Sequence, residues 1–177
     1  MPPAHVPAVS LMSATESDVG FVSGLANDPA VEPFLAVGAG DPARLRALLA
    51  DTEQPDPTGL FLIRSPESET VGALALRIVN HRSRICELSH LMIRPDTRRA
   101  GIASAAVTLA CRKALVEHAL HRIQLEVYGD NLAAQALFTH AGFVREGVRR
   151  RAYWRRERWL DGVQFGMLQG EFDATAA

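Results

Sequence analysis

The segment Arg94–Ala106, RPDTRRAGIASAA, holds the groups best placed to bind an anion: a hydrophobic run stops, three arginines follow, and Gly101 precedes an alanine-rich run. A strand that ends in a polar turn and enters a helix presents unpaired N–H groups at the positive end of the helix dipole, a natural phosphate site. The spacing Arg98-x-x-Gly101-x-Ala103 keeps the inner edge of the turn free of side chains. The N–H groups from Arg99 to Ala103 could then converge on a pyrophosphate, each charge-assisted bond contributing about 1.5–3 kcal/mol. There is no GxxxxGK[ST] and no second or third glycine of GxGxxG, which excludes a P-loop nucleotide site and a Rossmann dinucleotide site. By spacing alone, the pattern is equally that of a turn glycine followed by a helix-packing alanine.

The elements that position this turn follow from patterning. Residues 1–8 contain three prolines and read as a loose lead-in, and Val9–Met12 as a short strand. Val19, Val22, Leu25 and Ala26 form a helical stripe that Asn27-Asp28-Pro29 terminates. A second helix is expected over Asp41–Ala50, with Asp41 as N-cap and Pro42 at its first position. GLFLIR, TVGALALRIV and ICELSHLMI, separated by turn-forming stretches, read as an antiparallel meander between Gly59 and Ile93. Residues 102–118 are expected to be helical, with Ala103, Val107, Ala110 and Ala114 on one face. HRIQLEVYG reads as a strand, Asn131–Ala141 as a helix capped by Asp130 or Asn131, and FVREGVRRRAYWRRERWLDGVQFGML as two strands joined by a basic hairpin. The sum is one α+β domain over residues 1–177, with residues 172–177 loose.

Composition narrows the classes. The 177 residues are 47% hydrophobic and 22% charged, as expected of one globular domain. Cys86 and Cys111 are too few for a disulfide framework and lack zinc-site spacing, which suits a reducing cytoplasm. No Lys or Arg precedes Arg44 and no apolar run approaches the roughly 20 residues of a membrane span, so neither a signal peptide nor membrane insertion is expected. The net charge of −1 hides an asymmetry: residues 1–97 carry −5 and residues 98–177 carry +4, which favours an anionic ligand in the second half. His118 and His121 have no third ligand nearby and read as decoration of a helix C-terminus, so no metal is expected. The six arginines of RRRAYWRRERW, with Tyr153, Trp154 and Trp159, read as a solvated hairpin with aromatic residues in the core or at a subunit contact, rather than as a nucleic-acid surface.

ELSHLMIRPDTRRAGIA resembles the strand, loop and helix start of the GNAT superfamily of acyl-CoA-dependent N-acetyltransferases, with its R/Q-x-x-G-x-G/A signature. NLAAQALFTHAGF resembles that family's second motif, N-x-x-A-x-x-x-Y-x-x-x-G-F, with Asn131, Ala134, Phe138, Gly142 and Phe143 in register. TESDVGFVSGLANDPAVEPFL and WRRERWLDG are similar to the RimJ/RimL branch, the ribosomal-protein N-terminal acetyltransferases and their relatives. The resemblance implies a mixed, mostly antiparallel sheet of about seven strands flanked by about four helices, with the fourth and fifth strands splayed. It implies acetyl-CoA as cosubstrate, a small-molecule amine or protein N-terminus as acceptor, and a homodimer. Coenzyme contacts would come from Leu91, Met92, Ile93, Arg98, Arg99, Ala100, Gly101, Ile102, Ala103, Asn131, Ala134 and Phe138.

Direct attack on a thioester needs a neutral amine. A protein α-amine with pKa about 8 is about a tenth neutral at pH 7, and a lysine-like amine only a few parts in ten thousand. By the same resemblance, Glu126 on the fifth strand or Glu87 on the fourth would act as base, directly or through water. For either, a glutamate at the rim of a strand is the plain alternative. Phe138 stands where the family has a proton-donating tyrosine, and a phenyl ring cannot donate. Tyr128, two residues from Glu126 and hence on the same strand face, or a water would substitute, unless the thiolate leaves unassisted. The competing reading is a non-catalytic acyl-CoA sensor or a ribosome- or RNA-associated module on the same fold. On sequence grounds, Phe138→Tyr is expected to preserve or raise activity.

Overall fold

The computed structural model describes residues 8–49 and 57–172. Of the loose ends expected at residues 1–8 and 172–177, all but residues 8 and 172 lie outside the described residues, as does the expected helix end at Ala50. One seven-stranded sheet organises the rest: β1 (Ser10–Ser13), β2 (Gly59–Arg64), β3 (Thr70–Asn80), β4 (Ile85–Ile93), β5 (Arg122–Tyr128), β6 (Val144–Arg155) and β7 (Arg158–Leu168). The spatial order is β1-β2-β3-β4-β5-β7-β6. Every pairing is antiparallel except β4–β5, which is parallel. A parallel pair requires a crossover, and α3 (Ile102–Cys111) supplies it.

Strand alternation sorts the side chains into two cores. Leu74, Leu76, Cys86, Leu88, Ile123 and Leu125 face α3 and α4 (Leu132–His140). Leu60, Leu62, Ala73, Ala75 and Met92 face α1 (Val19–Ala26) and α2 (Pro42–Arg46). The stripe read from sequence holds in α1, where Val19, Val22, Leu25 and Ala26 are buried. Asp41 caps α2 by accepting from the Ala43 N–H at 2.8 Å, but the helix stops after Arg46, with Ala47 as its C-cap. α3 continues as expected, but its last turn, Arg112–Glu117, widens to π geometry, with the His118 N–H donating to the Lys113 carbonyl. Asn131, not Asp130, caps α4, its Oδ1 accepting from the Ala134 N–H at 3.1 Å.

The site is positioned by what happens along β4. Its pairing with β5 covers only Ile85–Glu87 against Arg122–Gln124, after which the strands diverge. Across β3, Ala75 faces Ser89 but Ala73 faces Met92, so β4 spends one extra residue there, and His90 adopts a left-handed φ of 53°. Such a bulge bends a strand and increases its twist, which turns the far half of β4 away from β5. The bend brings backbone close to backbone at Gly72, where a Cβ would lie 2.3 Å from the Met92 carbonyl oxygen. Backbone cannot yield as a flexible side chain can. Gly72→Ala is therefore expected to lower unfolding free energy by about 1–3 kcal/mol, measured as a shifted urea midpoint at unchanged slope.

Candidate active site

Where β4 and β5 part, a cavity of about 640 Å³ opens between the end of β4, the start of α3 and the start of α4. That size is typical of a small-molecule site, as is the mainly apolar wall. Ten of the twelve residues expected to contact a coenzyme line it: Leu91, Met92 and Ile93 from β4, Arg98, Arg99, Gly101, Ile102 and Ala103 from the turn and helix, and Asn131 and Ala134 from α4. The edge of β4 that β5 has left is the edge presented to this space.

The turn has the open form its spacing suggests. Arg99 and Gly101 both take left-handed φ values, 66° and 77°, and Gly101 is the N-cap of α3. The first i→i−4 bond of α3 comes from Ala105 to the Gly101 carbonyl, so the N–H groups of Ile102, Ala103 and Ser104 precede the helical ladder and point toward the cavity end of the helix. Arg98 has a different task from Arg99. Its Nε donates to the Ile93 carbonyl at 3.2 Å and a terminal nitrogen to the Ala30 carbonyl at 3.1 Å, which laces the segment after α1 to the end of β4. Arg99 is exposed beside it.

Two expected contacts lie elsewhere. Ala100 turns to the other side of the loop, into a shallow depression with Val9, Thr97 and Ile102. Phe138 is 4% exposed and packs in the core, edge-on to Phe143 at 5.5 Å and tilted against Phe165 at 6.2 Å. Apolar complementarity with those two rings, rather than the cavity, accounts for its aromatic character.

The two candidate carboxylates sit in different surroundings. Glu87 lies at the point where β4 and β5 are still paired, and bonds Arg77 across the β3–β4 ladder at 3.2 Å. That is a partly exposed cross-strand pair, worth little to stability. Glu126 lies on the divergent part of β5, with its side chain 19% exposed. It accepts a short hydrogen bond from the Tyr153 hydroxyl and bonds from an Arg149 terminal nitrogen at 3.2 and 3.3 Å. Gly162 makes room for the cluster, since a Cβ there would lie 2.2 Å from the Glu126 Oε1 and 2.9 Å from the Tyr153 ring. Burial, reinforced by the bond to Glu126, pushes the Tyr153 phenol up to about 12, so this hydroxyl stays protonated and donating.

Tyr128 shares the strand face of Glu126, and its ring meets Tyr153 edge-on at 5.0 Å. Its hydroxyl donates to the Leu35 carbonyl at 3.2 Å, and burial raises its pKa. The same carbonyl accepts from Arg155, whose guanidinium is buried and held by Glu32 at 2.5 Å. Leu35, with Val31 and Phe34, forms the remaining cavity wall. Sequence reading missed this wall because it belongs to a 3-10 turn, Glu32–Phe34, with no periodicity to detect. It also missed Arg149, Tyr153 and Gly162. They meet only through a long bulge in β6, where Arg149 faces Gly162 but Tyr153 already faces Leu160, and no spacing in the sequence marks it. Asp161 pins that bulge by accepting from the Arg151 N–H at 2.7 Å. Among the described residues, no group of three His, Cys, Asp or Glu side chains is placed to hold a metal, and no helix is long and apolar enough to cross a membrane.

Comparison with known proteins agrees with this architecture. The chain is 27% identical over 84 residues to the SPbeta prophage-derived N-acetyltransferase YokL of Bacillus subtilis, 48% of either chain. It is 25% identical over 112 residues to spermidine N(1)-acetyltransferase of Vibrio cholerae, 63% of this chain and 64% of that one. The chain thus spans between about half and two thirds of the length of these curated relatives. Among solved structures, spermidine N-acetyltransferase SpeG from Vibrio cholerae, in complex with CoA and spermine, superposes with a TM-score of 0.78 at 21% identity, covering 92% of this chain and 96% of that one. A dodecameric form of the same enzyme gives 0.75, also at 21% identity, over 92% and 94%. At that identity, the likeness is one of fold. The model of the acetyltransferase (GNAT) family matches residues 19–143, well over half of the sequence, and the chain belongs to that family.

Proposed function

We propose that the chain transfers an acetyl group from acetyl-CoA to a primary amine by direct attack of the amine on the thioester. The observation that carries this reading is the cavity itself: an apolar slot bounded by an open left-handed turn on one side and an unpaired strand edge on the other. Both features fit the coenzyme. The turn offers successive N–H groups and Arg99 to a pyrophosphate, and the free edge of Leu91–Ile93 offers backbone groups to the amides of an extended arm, as it would to an added strand. Asn131 spends its side-chain oxygen on capping α4, which leaves its amide nitrogen to donate into the cavity.

Acetyl-CoA supplies an activated acyl group and a thiolate leaving group. In the transfer, the ammonium proton is removed first, the amine N–C bond forms and the C–S bond breaks, and the second proton that the nitrogen sheds on becoming an amide passes through water to the departing thiolate. Glu126 takes that proton, directly or through water, being the candidate carboxylate on the divergent side of β5. Glu87 is occupied by Arg77 at the closed end of the splay. Tyr128 positions the Leu35 wall with its one hydroxyl proton. The acceptor is a small-molecule amine or a protein N-terminus. Relatives named for spermidine support the former, and the RimJ/RimL-like segments around α1 and the hairpin support the latter.

Thiol release from acetyl-CoA with polyamines, peptides, amino acids and aminoglycosides is the direct test. Turnover with at least one is expected, and coenzyme binding without turnover on any would leave the sensor reading in its place. Gly101→Val is expected to weaken acetyl-CoA binding by more than about tenfold, as titration calorimetry would read it, through loss of one or more charge-assisted N–H contacts. Circular dichroism should still show a folded chain. Phe138→Tyr brings a hydroxyl into the packed Phe143–Phe165 contact, so it is expected to cost about 1–3 kcal/mol of stability without raising kcat.

A further inference from the structure

The acceptor's charge can be read from how the carboxylates near Glu126 are used, given the acetyltransferase reading above. Glu126 is bonded by Tyr153 and Arg149, Glu32 by Arg155 and Arg156, and Asp130 by Arg158, while Asp161 is fixed to the Arg151 backbone. Among the described residues on β5, β7 and the turns that flank them, Glu157 at the hairpin tip is the one carboxylate with no such bond. A polycationic acceptor would need carboxylates for its distal ammonium groups, and here it would have to break arginine pairs to obtain them.

Arg149 presents the opposite opportunity. It is 55% exposed, and its contacts with Glu126 and with the Tyr153 hydroxyl, at 3.4 Å, are all made by one terminal nitrogen. The guanidinium carbon lies 5.7 Å from the Tyr153 ring centroid, within reach of a cation–π contact. Among the described residues, the edge formed by its other two nitrogens has no partner, and it has the fork geometry that matches a carboxylate. Arg150 and Arg151 follow in the bulge, exposed and without an ion pair among the described residues, so this stretch carries three successive positive charges.

We infer that Arg149 is a specificity-determining residue that selects acceptor amines carrying an anionic group within a few bonds of the reacting nitrogen. The anionic group binds the open edge of Arg149. The guanidinium is thereby drawn off Glu126, and the freed carboxylate oxygen accepts the proton from the ammonium group of the same molecule. Acceptor binding and unmasking of the base are one event. An alkylamine of the same length lacks the group that releases Glu126, and a polyamine adds positive charge beside three arginines.

The test is thiol-release kinetics with β-alanine and 4-aminobutyrate against propylamine, butylamine and spermidine, for the native chain and Arg149→Gln. Acetyl-CoA affinity is measured in parallel by calorimetry. The native chain is expected to favour each amino acid over its matched alkylamine by about ten- to hundredfold in kcat/KM, the scale of one charge-assisted pair. In Arg149→Gln, that ratio should fall toward one with acetyl-CoA affinity unchanged. Turnover that favours butylamine or spermidine, or a carboxylate preference that survives in Arg149→Gln, would overturn the inference and leave the acetyltransferase reading standing. Coenzyme binding with no thiol release from any amine would overturn both.

Discussion

The parting of β4 from β5 is the constraint on which the rest of the molecule depends. Three residue pairs hold the strands parallel, then the bulge at His90 turns β4 away. Sheet backbone that loses its neighbour must find other partners or face water. The protein accepts that cost along Leu88–Ile93 and spends it on a slot. α3 starts at the open end because the crossover from β4 must re-enter the sheet beside it. The turn that launches α3 therefore falls at the mouth, with its unpaired N–H groups directed inward. A straight β4 paired along its length would keep the same seven strands and leave no room for a ligand.

The outer wall depends on interactions between distant parts of the chain. The Leu35 carbonyl accepts from Tyr128 on β5 and from Arg155 at the end of β6, and Arg155 is itself buried against Glu32. A buried guanidinium is tolerated only when its donors are satisfied, and removing one partner of such a pair costs far more than an exposed bridge does. The early segment after α1 is thus suspended from the late hairpin. Arg98 ties the same segment to β4 from the other side, through Ala30 and Ile93.

Much of this was legible in the sequence, for physical reasons that also mark the limits. β2, β3 and β4 fall within a residue of where alternation and turn chemistry put them, because burial on a sheet face imposes a strict period of two. Gly101 and Asn131 were legible because each does something few residues can, one a left-handed N-cap and the other a side-chain cap. The bulge at His90 was not, since nothing in ICELSHLMI marks one residue as extra until β3 supplies the register. Phe138 was legible as a motif position and not as a location: the motif fixes its place on α4, but Phe143 and Phe165, from a loop and from β7, decide which way the ring is covered. Glu126 was legible and its masking by Arg149 was not, because that contact depends on a β6 bulge of four residues against two.

Phe138 also bears on how the leaving group departs. The phenols that could replace the family's tyrosine are both committed, Tyr128 to the Leu35 carbonyl and Tyr153 to Glu126. Tyr153 is also held near 12, which makes it a poor proton donor at neutral pH. No tyrosine is among the described residues that line the cavity. A thiol of pKa about 8.5 is a far better leaving group than an amine, so its departure needs little protonation. In the proposed transfer, the harder step is making a neutral nucleophile. The proposed roles follow that order of difficulty: Glu126 is the carboxylate beside the splay, and Arg149 is the arginine bonded to it.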